Sequence, residues 1–121
     1  MDPPQELKPI FWVGSSLADL RRFPPEVQDV MGYALQLAQG GGKHPDAKPL
    51  RGFGGTGVLE VVDDFDRNTY RVVYTVRFRD AVYVLHTFQK KSKRGVKTPK
   101  HEIGLVRARY SEARAHYEGR E

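Results

Sequence analysis

Cysteine is absent from this chain of 121 residues. Without a thiol, the protein can form neither disulfide bonds nor thiolate metal sites, and it has no cysteine nucleophile. A chain of this composition suits a reducing compartment, and we expect the protein to be cytoplasmic.

Long hydrophobic runs are absent as well. No apolar segment approaches the ~20 residues of a membrane-spanning helix, so we expect no contact with a membrane. The start of the chain also lacks the basic and apolar regions of a signal peptide. The length allows one domain, and the hydrophobic content of 39% is enough for a packed core. We expect residues 1–9, which are polar and rich in proline, to form a flexible tail, and residues 10–121 to form a single domain.

Acidic residues are missing from one segment, between Gln89 and His101. Six lysine or arginine residues lie there, in a chain whose net charge is +5. Uncompensated positive charge at the end of a strand is typical of a surface that binds a polyanion. An ordinary solvated loop is the alternative interpretation.

Hydrophobic periodicity predicts the element order β-α-α-β-β-β-α. The predicted strands are residues 10–13, 58–65, 70–78 and 81–89, and the predicted helices are residues 17–23, residues 25–39 and a last helix opened by Thr98 and Pro99. We therefore predict an α+β fold. It consists of a mostly antiparallel sheet, with an N-terminal helical hairpin and a C-terminal helix packed on one face.

Two short motifs match known sites only in part. Residues 52–57 match the pattern GxGxxG, but a dinucleotide site needs a strand before the motif and a helix after it, and here a loop precedes and a strand follows. His101 and Glu102 begin like HExxH, but Leu105 stands where the second metal ligand belongs. We expect no nucleotide cofactor and no metal site.

Arg71 is a candidate anion ligand. Strand alternation places its side chain, with that of Arg77, opposite the face formed by Tyr70 and Tyr74. If helices cover the aromatic face, Arg71 lies on the open face, close to Lys90 at the end of the next strand. Arginine binds phosphate through a bidentate fork. A solvated strand arginine is the alternative.

Three further residues have two interpretations each. His86 suits a proton carrier near neutral pH, but it shares strand parity with Val82 and Val84, which also fits a buried, hydrogen-bonded histidine. Lys48 and Arg51 flank the glycine-rich loop. They suit contacts with a nucleic-acid backbone, or simply solvated loop charge.

Several segments together resemble the toxins of the RelE/ParE superfamily. They are KPLRG at 48–52, VLEVV at 58–62, TYRVVYTV at 69–76 and AVYVLHTFQKKSK at 81–93. The LH-x-F-x-KK pattern followed by TPKHEI is closer to the HigB-like, phage-associated branch. The resemblance implies a RelE-like fold and the function of a toxin of a type II toxin–antitoxin system. Such a toxin cuts mRNA on the ribosome and is blocked by a cognate antitoxin, often of helix-turn-helix type, encoded next to it.

The resemblance also implies a chemistry. Cleavage is metal-independent: the 2′-hydroxyl of the RNA attacks the adjacent phosphate, leaving a 2′,3′-cyclic phosphate and a 5′-hydroxyl. Arg71 and Lys91 would stabilise charge on the phosphate. Lys90, Lys93 or His86 would transfer protons. The further residues expected to bind RNA are Lys48, Arg51, Arg77, Arg94, Lys97 and Lys100.

Two other functions remain open. Relatives of the ParE type poison DNA gyrase without nuclease residues, so the fold alone does not determine the activity. The strand at 58–64 also carries acidic residues where well-studied nuclease relatives carry basic ones. A phage-derived RNA-binding module is the third possibility.

Overall fold

A five-stranded sheet organises the chain, and its strand order is β1-β5-β4-β3-β2. The computed structural model describes residues 6–90 and 98–120. The strands are β1 (Ile10–Trp12), β2 (Lys48–Pro49), β3 (Val58–Phe65), β4 (Asn68–Thr75) and β5 (Val82–Lys90), and the helices are α1 (Ser16–Leu20), α2 (Pro25–Gln39) and α3 (Lys100–Arg120). β1 pairs with β5 in parallel, and the other neighbouring strands are antiparallel. The predicted α+β class is therefore confirmed.

The helices cover both faces of the sheet. Met31 of α2 packs with Val72 in one hydrophobic cluster, and Val106 of α3 packs with Val73 in a second. Because adjacent strand residues point to opposite faces, these clusters lie on opposite sides. The prediction of all helices on one face is wrong. The physical reason is β5, in which every residue from Val82 to Phe88 is buried, so that both of its faces need cover.

The sheet has one strand that was not predicted, and another that ends early. β2 lies in the segment ahead of residues 52–57, which is expected to be loop. β4 ends at Thr75, before the predicted end at residue 78. There the Thr75 hydroxyl accepts a hydrogen bond from the backbone N–H of Arg77 (3.1 Å), a local bond that competes with the strand ladder. The flexible tail over residues 1–9 stays a prediction. Within it, the backbone N–H of Lys8 donates to the carbonyl oxygen of Gln39, and the side-chain amide of Gln39 donates to the carbonyl oxygen of Lys8.

A β-bulge in β5 decides where His86 points. Val73 pairs with His86, but the next residue of β4, Tyr74, pairs with Val84, which leaves Leu85 as an extra residue. The alternation of side chains is interrupted there. Val84 belongs to the cluster under α1 and α2, whereas His86 contacts α3 on the other face. The sequence predicts that His86 and Val84 point to the same face of the sheet, but the bulge places them on opposite faces.

No helix within residues 6–90 and 98–120 has both the length and the apolar composition that crossing a bilayer requires.

Candidate functional site

A groove of about 930 Å³ opens on the face of the sheet that α3 covers. We call it the Arg71 groove. It lies between the β2–β3 edge of the sheet and the start of α3. It is lined by Asp46, Lys48, Pro49, Leu50, Arg51, Glu60, Val62, Asp63, Asp64, Thr69, Arg71, Thr98 and Ile103.

Arg71 is held in this groove by Glu60 and Thr98. Its Nη1 donates to Oε1 of Glu60 at 3.1 Å and to Oγ1 of Thr98 at 3.0 Å. The Thr98 hydroxyl donates to Oε2 of Glu60 at 2.9 Å, which closes a triangle of three side chains. Arg71 lies opposite the aromatic face, as alternation predicts, but it is only 6% exposed. It is a positioned guanidinium rather than a solvated strand arginine.

The lining of the groove carries both signs of charge. Four carboxylates, those of Asp46, Glu60, Asp63 and Asp64, accompany the cations of Lys48, Arg51 and Arg71. Burial raises the pKa of Asp63, and the nearby charges of Asp64 and Asp46 raise it further. Even so, across the described ranges 6–90 and 98–120 no three histidine, aspartate or glutamate side chains are grouped to hold a metal ion.

The structure brings several predicted RNA-binding residues together. Lys48 and Arg51 line the groove with Arg71. Lys90 pairs with Thr69 in the β4–β5 register, so its side chain emerges on the face that carries Arg71. Lys90 thus shares a face with Arg71, but it is not among the described residues that line the groove, so a pocket shared by this arginine and the lysines after β5 stays a prediction.

Other predicted residues lie elsewhere. Arg77 is exposed and donates to the carbonyl oxygen of Gly55 at 2.6 Å, and Lys100 is exposed at the start of α3. In the part of the chain that the structure describes, neither is among the groove-lining residues. Four predicted residues, Lys91, Lys93, Arg94 and Lys97, lie outside the described residues.

His86 belongs to a separate buried network. Its Nδ1 lies 3.1 Å from Nη1 of Arg109, and its Nε2 contacts the carboxylate of Glu102. Because a guanidinium only donates, Nδ1 must be the acceptor, so Nε2 carries the proton and donates to Glu102. Burial lowers the pKa of His86, although the contact with Glu102 opposes this shift. His86 is only 5% exposed, and it does not line the groove.

The prediction of His86 as a proton carrier at the RNA site is therefore not supported by its position. The geometry matches the other interpretation, a buried and hydrogen-bonded histidine. The bulge at Leu85 is the physical reason, because it turns His86 toward Arg109 and Glu102 of α3.

Sequence reasoning missed the partners of these residues. Glu60 and Thr98 were not assigned to the site, although an acid on the strand beside Arg71 is a signal for a cross-strand ion pair. Arg109 was missed too, and it is only 9% exposed. Its signal is its place on the helical stripe between Val106 and Ala113, where an apolar residue is expected.

Comparison with known proteins gives a family and a fold. The sequence model of the family described as phage derived protein Gp49-like (DUF891) matches residues 18–111. Among solved structures, a doubly substituted Escherichia coli toxin RelE in the free state is 16% identical, with a TM-score of 0.54, over 89% of this chain and 98% of that one. A toxin–antitoxin complex, RelBE2 from Mycobacterium tuberculosis, contains a chain that is 19% identical, with a TM-score of 0.48, over 70% of this chain and 100% of that one. No curated protein matches the chain.

Proposed function

The chain belongs to the Gp49-like family of phage-derived proteins and has the fold of the toxin RelE, and on this basis we propose that it is the toxin of a type II toxin–antitoxin system. The LH-x-F-x-KK and TPKHEI segments support a place in the HigB-like branch of the RelE/ParE superfamily. Its partner is then a cognate antitoxin, of helix-turn-helix type and encoded next to it. The toxin acts in the cytoplasm.

The activity that we propose is ribosome-dependent cleavage of mRNA. The observation that carries this proposal is Arg71, a guanidinium held in a groove that also presents Lys48 and Arg51. Arginine in a fixed position is suited to phosphate recognition, and additional cations at the rim can follow an RNA backbone. Lys90 emerges on the same face.

The chemistry follows from the RNA itself. The 2′-hydroxyl oxygen attacks the adjacent phosphorus, the bond from phosphorus to the 5′-oxygen breaks, and a 2′,3′-cyclic phosphate remains. One proton leaves the 2′-hydroxyl and another reaches the departing 5′-oxygen. We assign charge stabilisation to Arg71, with Lys91 as its partner. Lys90 and Lys93 are the candidates for proton transfer.

Induced expression in bacteria tests this proposal. Growth should stop, and primer extension should show cuts within the reading frames of mRNA. Arg71→Ala should abolish both effects. Arg79→Ala is the matched control, because it removes an exposed arginine that is not among the described residues lining the groove, and it should leave both effects in place. Growth arrest that persists in Arg71→Ala would contradict the assignment.

Inhibition of a protein target such as DNA gyrase is the second candidate. The acidic part of the groove lining favours it, because four carboxylates there repel an RNA backbone. Under this alternative, growth stops without mRNA cuts, DNA supercoiling changes, and Arg71→Ala stays toxic. A protein that is harmless and only retards RNA on a gel, with steep salt dependence, is instead an RNA-binding module.

A further inference from the structure

We propose that Glu60 is an internal competitor for the anion site on Arg71. Its carboxylate accepts the hydrogen bond from Nη1 of Arg71 that a phosphate of the bound nucleic acid would accept, and it must be displaced before that phosphate binds. This inference rests on the proposed function, since it takes the Arg71 groove as the place where RNA binds.

The contacts of Glu60 resemble those that a bound phosphate would make. One carboxylate oxygen lies 3.1 Å from Nη1 of Arg71, and the other accepts a hydrogen bond of 2.9 Å from the Thr98 hydroxyl. Carboxylate and phosphate offer the same kind of acceptor to a guanidinium. The Glu60 side chain is 14% exposed, so the carboxylate stands at the groove rather than deep in the core.

A displaced carboxylate has a second cation within reach. Lys48 pairs directly with Glu60 across β2 and β3, so the two side chains lie on the same face of the sheet. Directly paired residues have Cβ atoms about 5 Å apart. The Lys48 ammonium has three N–H donors, so it can receive the displaced carboxylate and still contact a phosphate. Glu60 can therefore leave Arg71 without becoming an unpaired charge.

The competition has a consequence for the kind of ligand. Binding of a single small phosphate gains little free energy, because the phosphate only replaces one anion on Arg71 by another. An RNA strand gains additional contacts with cations along the groove, such as Arg51, and these offset the displacement of Glu60. Glu60 thus selects for an extended polyanion over small phosphates.

RNA affinity measured by fluorescence anisotropy tests this role. The probe is a short, labelled single-stranded RNA at fixed salt concentration. Glu60→Gln keeps an acceptor oxygen for Arg71 but removes the charge, and we expect its dissociation constant to fall about tenfold. Asp46→Asn is the matched control, because it makes the same charge change in the same groove. Its dissociation constant should fall by only about twofold, as for a change in an exposed charge.

The increase in RNA affinity of Glu60→Gln should depend on Arg71. In an Arg71→Ala background, Glu60→Gln should give no increase in affinity, because the freed site is then missing. A gain that persists without Arg71, or an equal gain in Asp46→Asn, would reduce the effect to general electrostatics and overturn the proposal. Glu60→Ala provides the same comparison if circular dichroism shows that the glutamine disturbs the fold.

The remaining outcomes also decide the question. Unchanged or weaker RNA binding by Glu60→Gln, or no RNA binding by any variant, would overturn the competitor role. Unchanged affinity with loss of mRNA cutting would mean that Glu60 acts in the reaction itself. Because the binding assay does not depend on toxicity, a harmless wild-type protein would contradict the proposed function while leaving this comparison intact.

Discussion

The guanidinium of Arg109 lies against the backbone of Gly14. A Cβ atom at position 14 would be 2.8 Å from Cζ, Nε and Nη2 of that arginine, a separation that real Cβ contacts essentially never show. Arg109 also donates to the carbonyl of Leu85 at 3.0 Å and to the hydroxyl of Ser15 at 3.1 Å. One buried arginine therefore joins α3 to β5 and to the segment that leads into α1.

Gly14→Ala should destabilise the protein by about 3 kcal/mol, since it combines a strained backbone with overpacking. Gly14 has a φ of +57°, and the added methyl group would collide with Arg109. Gly41→Ala separates the two effects, because Gly41 has a φ of +84° but, apart from its chain neighbours, no described residue places an atom within 4 Å of the added Cβ. We expect about 1 kcal/mol there. The measurement is urea unfolding of both variants, and equal losses would mean that the contact with Arg109 contributes nothing.

His86 should make the stability depend on pH. Burial lowers the pKa of His86 in the folded state from the ordinary value of 6.5. The unfolded chain then binds the proton more readily, so the stabilisation is fully present above pH 6.5 and is lost as the pH falls toward the lower folded value. The charged groups that act on the imidazole are Glu102 and Arg109 of α3 and, with a smaller effect, Asp19 of α1.

The variant His86→Gln isolates this effect, because glutamine retains a donor and an acceptor but does not titrate. Its free energy of unfolding should fall less steeply below pH 6.5 than that of the wild type. The difference in slope is at most about 1.4 kcal/mol per pH unit, the value for one proton. Urea unfolding between about pH 5 and pH 8 measures it. Parallel curves for the two proteins would show that His86 does not titrate differently on folding.

Local patterns explain which parts of the fold were predictable. The apolar stripe of α2 begins at Pro25 and ends before Gly40, and both signals are read from neighbouring residues. The bulge at Leu85 was not predictable, because it arises from the register of β5 against β4 and leaves no local signature. That helices cover both faces of the sheet could have been predicted from β5, because a continuous apolar run predicts a strand buried on both sides. The prediction of one covered face left this run out of account.

The candidate site was likewise predictable only in part. The side of the sheet on which Arg71 lies follows from strand alternation, a period of two that the sequence displays directly. Its partners Glu60 and Thr98 lie 11 and 27 residues away along the chain, so their contacts exist only once β3, β4 and the start of α3 have come together. Burial of Arg71 depends on the same assembly.

Removal of the Tyr74 hydroxyl should stabilise the protein. Tyr74 is fully buried, and its hydroxyl has no hydrogen-bond partner among the described residues. The same burial raises its pKa to about 12. An unsatisfied buried hydroxyl costs about 1 kcal/mol or more, so we expect Tyr74→Phe to gain about that amount.

Tyr83→Phe is the matched control for this substitution. Tyr83 is equally buried, but its hydroxyl lies 2.7 Å from Nδ1 of His116. Its loss should therefore destabilise the protein by about 1 kcal/mol. Thermal or urea unfolding compares the two variants, and a destabilised Tyr74→Phe would show that this hydroxyl is satisfied after all.

Lys48 should contribute to RNA affinity through charge rather than through shape. It is exposed on β2 and lines the groove beside Arg71, which is the position of a cation that contacts a backbone phosphate. Lys48→Ala should weaken binding of single-stranded RNA of any sequence. It should also reduce the slope of log affinity against log salt concentration by about 0.7, the value for one phosphate contact with a single strand. Anisotropy titrations at several salt concentrations measure both quantities.

Arg79→Ala serves as the control, because Arg79 is exposed but outside the groove, and its slope should match the wild type. Equal slopes in all three proteins would mean that RNA does not run past β2, and the groove would then have to receive it from another side.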